Sequence, residues 1–205
     1  MPTIALIRHG ETDLNRARIM QPPQTPLSAL GRAQAAAVGP RVAALRPAAL
    51  VASDLARAWE TGQYVSAACG LPAAPHALLH ERNFGDWRGQ PYTALGFDPV
   101  RGGHVPPNGE SVEAFDARVD AAWLWLLAAQ RDCGGLLVAV THGLLIAGVL
   151  ARHVRLPAGL APPGHLGNTS LTLIDAAAPH QARLLDCTEH LAGLEATGGP
   201  GSGPA

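Results

Sequence analysis

The sequence predicts an α/β protein, because short apolar runs of strand length alternate with longer segments of helical periodicity. Two of these runs, residues 4–7 and 136–140, are continuously apolar, as is typical of buried strands. Each run is followed closely by a histidine and a glycine, His9-Gly10 and His142-Gly143. Open α/β sheets bind their ligands at the carboxyl ends of strands, so we expect the functional residues at that edge.

The composition indicates one domain, residues 1–192, followed by a mobile tail rich in glycine and proline at residues 193–205. Of the 205 residues, 47% are hydrophobic and 4% aromatic, so alanine, leucine and valine must build the core. The net charge of −1, without a basic run, argues against binding to nucleic acid or to anionic membranes. The chain contains no lysine, which excludes a lysine nucleophile. No apolar stretch is long enough to span a membrane.

Three widely spaced cysteines, Cys69, Cys133 and Cys187, form neither a disulfide framework nor a metal-binding motif. This cysteine usage fits a reducing compartment, so we expect a cytoplasmic protein. Charged residues begin at Arg8, which argues against a signal peptide. The oligomeric state stays open, with a homodimer as one alternative.

A loop and a helix should follow the first strand. The loop is expected over residues 13–26, because the proline-rich stretch 21–26 cannot be helical. Ser28 is a favourable N-cap for a helix that should run to about residue 45. Gly39-Pro40 within this helix predicts a kink or a break.

The second buried strand, residues 48–52, ends at Ser53-Asp54, which predicts the cap of the next helix. Arg57 falls in the first turn of that helix, off its apolar stripe. One interpretation places its guanidinium beside the helix N-terminus, where an anion is favoured. The other is a solvated surface arginine, which is the commoner case for an isolated arginine.

Residues 71–110 lack regular periodicity, and a loop of that length in a compact domain usually has a function. A helix should begin near Ser111 and bury an apolar face. The strongest strand pattern follows at residues 136–140, and after it comes a helix at 144–152 that is apolar on nearly all sides. A closing pair of strands is predicted at 171–175 and 183–187.

The residues after the first strand suit phosphoryl transfer. Arg8 offers a cationic fork for phosphate oxygens, and His9 offers a ring nitrogen that is nucleophilic near neutral pH. Gly10 lets the backbone turn sharply beside a ligand. An isolated Arg-His-Gly triplet is common by chance, so the later motifs decide whether the chemistry is real.

Six motifs in order resemble those of the histidine phosphatase superfamily, which includes the cofactor-dependent phosphoglycerate mutases. Each motif is weak alone, but together they span residues 4–175. They are Arg8-His9-Gly10 with Glu11, Thr12 and Asn15; Leu27-Ser28 with Gly31 and Gln34-Ala35; Ser53 to Thr61 with Arg57-Ala58; Glu81 with Phe84-Gly85 and Trp87; Gly109-Glu110-Ser111 with Phe115 and Arg118; and Thr141-His142-Gly143.

The resemblance implies a three-layer α/β/α sandwich around a mainly parallel sheet. It also implies that His9 attacks phosphorus to form a phosphohistidine, while protonated Glu81 donates a proton to the leaving group. No metal or other cofactor is implied. The expected phosphate-binding residues are Arg8, Arg57, Asn15 and His142, and the expected substrate-pocket residues are Phe84, Trp87, Arg88 and His104. The other histidines, His76, His80, His153, His165, His180 and His190, are expected at the surface or in satisfied contacts.

The chain departs from the family pattern at two places. Pro22, Pro23 and Gln24 stand where the family commonly has a glycine and an aspartate, so a backbone contact to phosphate there is in question. The loop between Glu81 and Ser111 is shorter than in the mutases and has few cations.

These features favour a metal-independent phosphomonoesterase that acts on a small phosphorylated metabolite. A phosphoglycerate mutase is the second interpretation, and the short loop argues against it. A catalytically silent protein that binds a phosphorylated ligand is the third. Its expected mark would be the loss of a catalytic residue, and none of His9, Arg57, Glu81 and His142 is missing.

Overall fold

The computed structural model describes residues 2–161 and 163–194. A six-stranded sheet with the order β3-β2-β4-β1-β5-β6 forms its centre. None of the described helices is both long and apolar enough to cross a membrane. The strands are β1 (Thr3–Arg8), β2 (Ala49–Ala52), β3 (Ala73–Pro75), β4 (Leu137–Thr141), β5 (Leu171–Asp175) and β6 (Ala182–Cys187); the helices are α1 (Asp13–Arg16), α2 (Ala29–Ala43), α3 (Ala56–Cys69), α4 (Val112–Cys133) and α5 (Gly143–His153).

The sheet is mostly parallel, as predicted. Strand β1 pairs in parallel with β4, and β2 pairs in parallel with both β4 and β3. Strand β5 runs antiparallel to β1, and β6 runs antiparallel to β5. Among these six strands only β5 therefore points the opposite way. The carboxyl ends of β1, β2 and β4 meet at one edge of the sheet.

Two apolar cores cover the two faces of the sheet, which makes the sandwich three-layered. Ile4 and Leu6 of β1 belong to the core that includes Trp123 of α4. Ala5 and Ile7 point to the other face, in the core that α2 and α3 complete. Burial of an Ile or Leu side chain contributes roughly 1.5–3 kcal/mol, so the alternation along β1 holds both helical layers to the sheet.

Helix α2 continues through Pro40, so of the two predicted alternatives, a kink or a break, the break is wrong. Ser28 is the N-cap, as predicted, and its hydroxyl accepts a hydrogen bond from the Gly31 amide. The last turn still forms, because the Ala44 amide donates to the Pro40 carbonyl at 3.0 Å. Helix α2 also packs tightly on α3, because a Cβ on Gly39 would lie 2.9 Å from the Cβ of Ala68.

The predicted Ser53-Asp54 cap of α3 is also wrong, because the helix begins at Ala56 with no side-chain cap. Both side chains form other contacts. Ser53 Oγ lies 2.8 Å from His142 Nε2, and the Asp54 carboxylate contacts the ring of His80. Long-range contacts at the sheet edge have thus replaced a local cap.

Two short elements lie in segments that were predicted to be irregular. Helix α1 forms within residues 13–26, because the Thr12 side chain accepts from the Asn15 amide and caps it. Strand β3 forms within residues 71–110 and pairs with β2, and three 3₁₀ turns follow it. The predicted tail extends from residue 193, and residues 195–205 lie outside the described part of the chain.

Candidate active site

The sheet register brings the two strand-end histidines together. Arg8 of β1 lies opposite Thr141 of β4 in a parallel pair, so His9 and His142 leave the sheet side by side. Their ring centroids are 5.1 Å apart, with the rings nearly edge to face. Arg57 approaches from the first turn of α3 and places its Nε 3.2 Å from His9 Nε2.

One ring nitrogen of His9 is protonated, and the other carries the lone pair. Its Nδ1 lies 2.7 Å from the carbonyl oxygen of Gly10, which can only accept a hydrogen bond, so Nδ1 carries the proton. The lone pair is therefore on Nε2, where the Arg57 Nε–H donates to it. Burial, reinforced by Arg57 and Arg8, holds the pKa of His9 well below its ordinary value. The ring is therefore neutral, and the Nε2 lone pair is chemically able to act as a nucleophile.

The backbone around His9 is held by close contacts with α2 and α3. A Cβ on Gly10 would lie 2.5 Å from the Gly31 carbonyl oxygen, and a Cβ on Gly31 would lie 2.0 Å from the Glu11 carbonyl oxygen. Only glycine allows this approach on either side. The Gly10 amide also donates to Thr61 Oγ1 at 3.1 Å. These contacts fix the direction of the His9 ring.

Two buried arginines lie beside His9 without a carboxylate partner in the described residues. Arg8 is 6% exposed and Arg57 3% exposed, so the surface alternative for Arg57 is wrong. Burial lowers the pKa of Arg8, and it lowers the pKa of Arg57 to about 10. A buried cation without an ion-pair partner is costly, and a bound anion would offset that cost. The pair therefore suits phosphate.

Three polar side-chain atoms in this region are buried and have no hydrogen-bond partner within the described residues. They are Arg8 Nε, His142 Nδ1 and Asn15 Oδ1. The Leu55 amide donates to Ser53 Oγ, and Ser53 Oγ also lies 2.8 Å from His142 Nε2, so Nδ1 is the His142 ring nitrogen left without a partner. Buried polar groups are normally hydrogen-bonded, so Arg8 Nε and His142 Nδ1 are candidates to bind a polar ligand.

Glu81 lines the same cavity as His9. Its carboxylate oxygens accept hydrogen bonds from the amides of Arg82 at 3.0 Å and Leu144 at 3.1 Å. Burial raises the pKa of Glu81, and these two amides, followed by the nearby arginines, offset part of the rise. A carboxyl group with a raised pKa is suited to proton donation.

The cavity in front of His9 has a volume of about 100 Å³. Of the four predicted substrate-pocket residues, Phe84 and Arg88 line it, but Trp87 and His104 do not. Both of the latter pack against Phe97, with ring centroids 5.1 and 4.1 Å away. Ring contact with an apolar neighbour, rather than ligand contact, accounts for the positions of buried Trp87 and exposed His104.

Sequence reasoning missed several residues of the cavity wall. His165, predicted to be at the surface or satisfied, lines the cavity and lies 3.1 Å from Arg8 Nη1 through its Nε2. The Leu166 carbonyl accepts a hydrogen bond from the same Arg8 nitrogen. No local sequence pattern indicated these contacts, because they join residues more than 150 positions apart. The other missed wall residues include Met20, Gln21, Tyr92, Leu144 and Ala147.

The Pro22-Pro23 departure lies at the cavity as well. The Pro22 carbonyl accepts a hydrogen bond from Arg57 Nη1 at 3.4 Å, and the Pro23 carbonyl accepts one from the Ala56 amide. Neither proline has an N–H group to offer to a phosphate. In this chain the segment therefore contacts Arg57 and the start of α3 through carbonyl groups.

The chain belongs to the histidine phosphatase superfamily. Residues 4–186 match branch 1 of that superfamily. The family resemblance inferred from the sequence motifs is thereby confirmed, as is the assignment of the chain as a phosphatase of that superfamily.

Two relatives and one solved structure show similarity to phosphatases and mutase-like proteins. Glucosyl-3-phosphoglycerate phosphatase of Mycobacterium tuberculosis is 33% identical over 186 residues, which cover 82% of this chain and 83% of the relative. Probable phosphoglycerate mutase GpmB of Yersinia enterocolitica is 30% identical over 186 residues, 85% of each chain. The structure of the mycobacterial phosphatase in complex with VO3 superposes with a TM-score of 0.71 at 32% identity, covering 89% of this chain and 96% of that one.

Proposed function

We propose that this protein is a metal-independent phosphomonoesterase that hydrolyses a small phosphorylated metabolite through a phosphohistidine at His9. One observation carries the proposal. The unprotonated Nε2 of His9 lies 3.2 Å from the Nε of buried Arg57, and the Nδ1 proton is bound to the Gly10 carbonyl. A nucleophile held beside cations is the arrangement that phosphoryl transfer requires.

In the first step His9 Nε2 attacks phosphorus in line, and the P–O bond to the leaving alcohol breaks. The phosphate oxygens replace the His9 contact of Arg57 and satisfy the unpartnered Arg8 Nε and His142 Nδ1. Asn15 also lines the cavity, and its side-chain NH2 group would provide a further donor. These groups are positioned before reaction, so they stabilise transition-state charge with little reorganisation.

Glu81 supplies the proton that the leaving alkoxide takes up. Its raised pKa keeps a protonated fraction at higher pH than an ordinary glutamate would. In the second step the resulting carboxylate accepts a proton from water as the water attacks phosphorus. The P–N bond breaks, inorganic phosphate leaves, and His9 and protonated Glu81 are restored.

The finer features of the proposal have separate support. The two buried guanidinium groups provide the positive charge that a metal ion would supply elsewhere, which supports the metal-independent scheme. Cys69, Cys133 and Cys187 are unpaired thiols, which supports a cytoplasmic location. The substrate class follows the relative that acts on glucosyl-3-phosphoglycerate.

Phosphoglycerate mutase is the second candidate, because one relative carries that name. The disposition of the loop cations argues against it. The Arg82 guanidinium is bound to the carbonyls of Glu110 and His104, which leaves it poorly placed to hold a second anionic group. Arg88 remains as the loop arginine on the cavity wall that has no such contact among the described residues.

A rapid-quench experiment tests the proposal. The wild-type enzyme should form an acid-labile phosphoenzyme during turnover of p-nitrophenyl phosphate in EDTA, with the phosphoryl group on His9. His9→Ala should abolish both the phosphoenzyme and turnover. His104→Ala, an exposed histidine outside the cavity, is the matched control and should behave as wild type. Undiminished turnover in His9→Ala would refute the mechanism.

A further inference from the structure

The cavity in front of His9 is too small for a substrate of sugar size. Its volume of about 100 Å³ accommodates little more than a phosphate group, whereas small-molecule sites usually measure about 300–1,000 Å³. A second, more open cavity of about 530 Å³ shares part of its wall. We call this second cavity the β3 groove; its own wall includes Pro75, His76, Ala77, His80, Asn83 and Arg118.

Three residues belong to both walls: Leu55, Glu81 and Arg88. The position of Glu81 decides how a substrate would lie. A general acid must be within hydrogen-bond reach of the leaving-group oxygen, so the alcohol begins beside Glu81. From there, the β3 groove is the larger adjoining space. A leaving group larger than the His9 cavity would therefore extend past the shared wall into the groove.

The polar side chains of the β3 groove suit hydroxyl groups. The His76 ring is held by stacking on Trp125 at 3.6 Å between centroids, and its Nδ1 accepts from the Leu78 amide. His80 and Asn83 also line the groove; His80 Nε2 contacts Asp54, and the Asn83 side chain is bound to the Gly85 amide and the Asn108 carbonyl. Arg118 is paired with Glu110, so its charge is already compensated.

Arg88 differs from Arg118 because its guanidinium has no hydrogen bond or ion pair with any residue that the structure describes. It lies at the junction of the two cavities, on the same shared wall as Glu81. A guanidinium in this position is ready to bind a carboxylate on the substrate.

We infer that the β3 groove is the leaving-group subsite, and that it takes a polyhydroxylated alcohol of sugar size with an anionic group near the ester oxygen. Arg88 binds the anionic group, and the groove residues contact the hydroxyl groups. This inference rests on the proposed phosphatase function, because it assigns Glu81 to the leaving-group oxygen.

Filling the groove tests the inference. Ala77 is exposed on the groove wall, so Ala77→Trp should occupy the groove without disturbing the core. We expect kcat/KM for glucosyl-3-phosphoglycerate to fall at least tenfold, mainly through KM. Activity on p-nitrophenyl phosphate and 3-phosphoglycerate should stay within about twofold. Ala67→Trp, at an exposed position of α3 outside both cavities, is the matched control.

Arg88→Ala separates the anionic contact from the groove. It should lower kcat/KM at least tenfold for both carboxylated esters, and by a clearly larger factor than for p-nitrophenyl phosphate, which has no second anionic group. Unchanged hydrolysis of glucosyl-3-phosphoglycerate by Ala77→Trp, or a parallel loss on all three esters, would overturn the subsite. So would a wild-type enzyme that prefers compact esters over glucosyl-3-phosphoglycerate and hexose phosphates. A wild-type protein without phosphoenzyme or turnover would instead refute the phosphatase function itself.

Discussion

The guanidinium of Arg118 on α4 donates a hydrogen bond of 3.1 Å to the backbone carbonyl of Glu81. The same side chain donates to the carbonyls of Leu78 at 3.2 Å and His80 at 2.8 Å. Glu110 orients it through two contacts of 2.7 Å. Arg118 thus fixes the segment that carries the proposed general acid, although its own role is positioning.

Arg118→Lys should impair proton donation more than phosphate binding, because lysine cannot bond three carbonyls in one plane. We expect kcat for an alkyl phosphate to fall at least tenfold, whereas kcat for p-nitrophenyl phosphate, whose leaving group needs little protonation, changes less than about threefold. Steady-state kinetics on both esters measure the difference. Equal losses on the two substrates would indicate a structural role only.

Glu81→Gln should also slow hydrolysis of an alkyl phosphate more than that of p-nitrophenyl phosphate, and by a larger factor than Arg118→Lys. A general acid contributes about 10²–10⁴-fold, and that is the loss we expect on an alkyl phosphate. Because burial raises the pKa of Glu81, the wild-type rate should fall as pH rises through that pKa. The alkaline decline should be absent in Glu81→Gln. If both ester types lose activity equally, Glu81 positions a group rather than donating a proton.

Arg57→Ala should lower kcat by roughly 10²–10³, the scale for one preorganised charge-stabilising donor. Arg16→Ala is the matched control, because Arg16 is exposed and its guanidinium pairs with Asp13. Vanadate should inhibit the wild type competitively and bind Arg57→Ala more weakly. A decrease of less than about threefold in kcat would remove Arg57 from the phosphate site.

The buried His9 should make the protein less stable in acid. Its pKa is depressed in the folded state, so below the ordinary value of 6.5 the unfolded chain takes up a proton that the folded chain does not. The free energy of unfolding should have its full value well above pH 6.5. Between pH 6.5 and 5.5 the protonation of His9 in the unfolded chain should lower it by about 1 kcal/mol.

His9→Asn should remove that part of the pH dependence. Urea unfolding at pH 7.5, 6.5 and 5.5 in phosphate-free buffer measures it, with His104→Asn as the exposed control. Burial also depresses the pKa of His142, so His142 lowers the stability in acid as well. His9→Asn should therefore remove only part of the acid sensitivity. A profile identical to that of the wild type would contradict the assignment.

The choice between phosphatase and mutase has a direct assay. With 3-phosphoglycerate and a bisphosphoglycerate primer, we expect release of inorganic phosphate and little 2-phosphoglycerate. The reason is that Arg82 is bound to two carbonyl groups and does not hold a second phosphate over His9. Isomerisation faster than phosphate release would favour the mutase and leave the roles of His9 and Glu81 unchanged.

Much of the fold could be predicted because its information is local. Apolar runs of strand length predicted β1 and β4, and Ser28 predicted the start of α2. Local rules failed where distant contacts outweighed them. Ser53 contacts His142 instead of capping α3, and Pro40 stays within α2 where that helix packs on α3.

For the candidate site, the sequence by itself determined the residue types and their order: Arg8 and His9 after one strand, His142 after another, and Glu81 in a long loop. It also identified the family. These conclusions need only strand patterns and motif spacing, which are properties of neighbouring residues.

Only the tertiary structure decided which surrounding residues join that chemistry. It buried Arg57 against His9, brought His165 to Arg8, and turned Trp87 toward Phe97 instead of the cavity. The hydrogen bond from Arg57 to His9 joins residues 48 positions apart, and that between Arg8 and His165 joins residues 157 apart. Such contacts depend on how helices and loops pack against the sheet, and no local pattern in the chain encodes them.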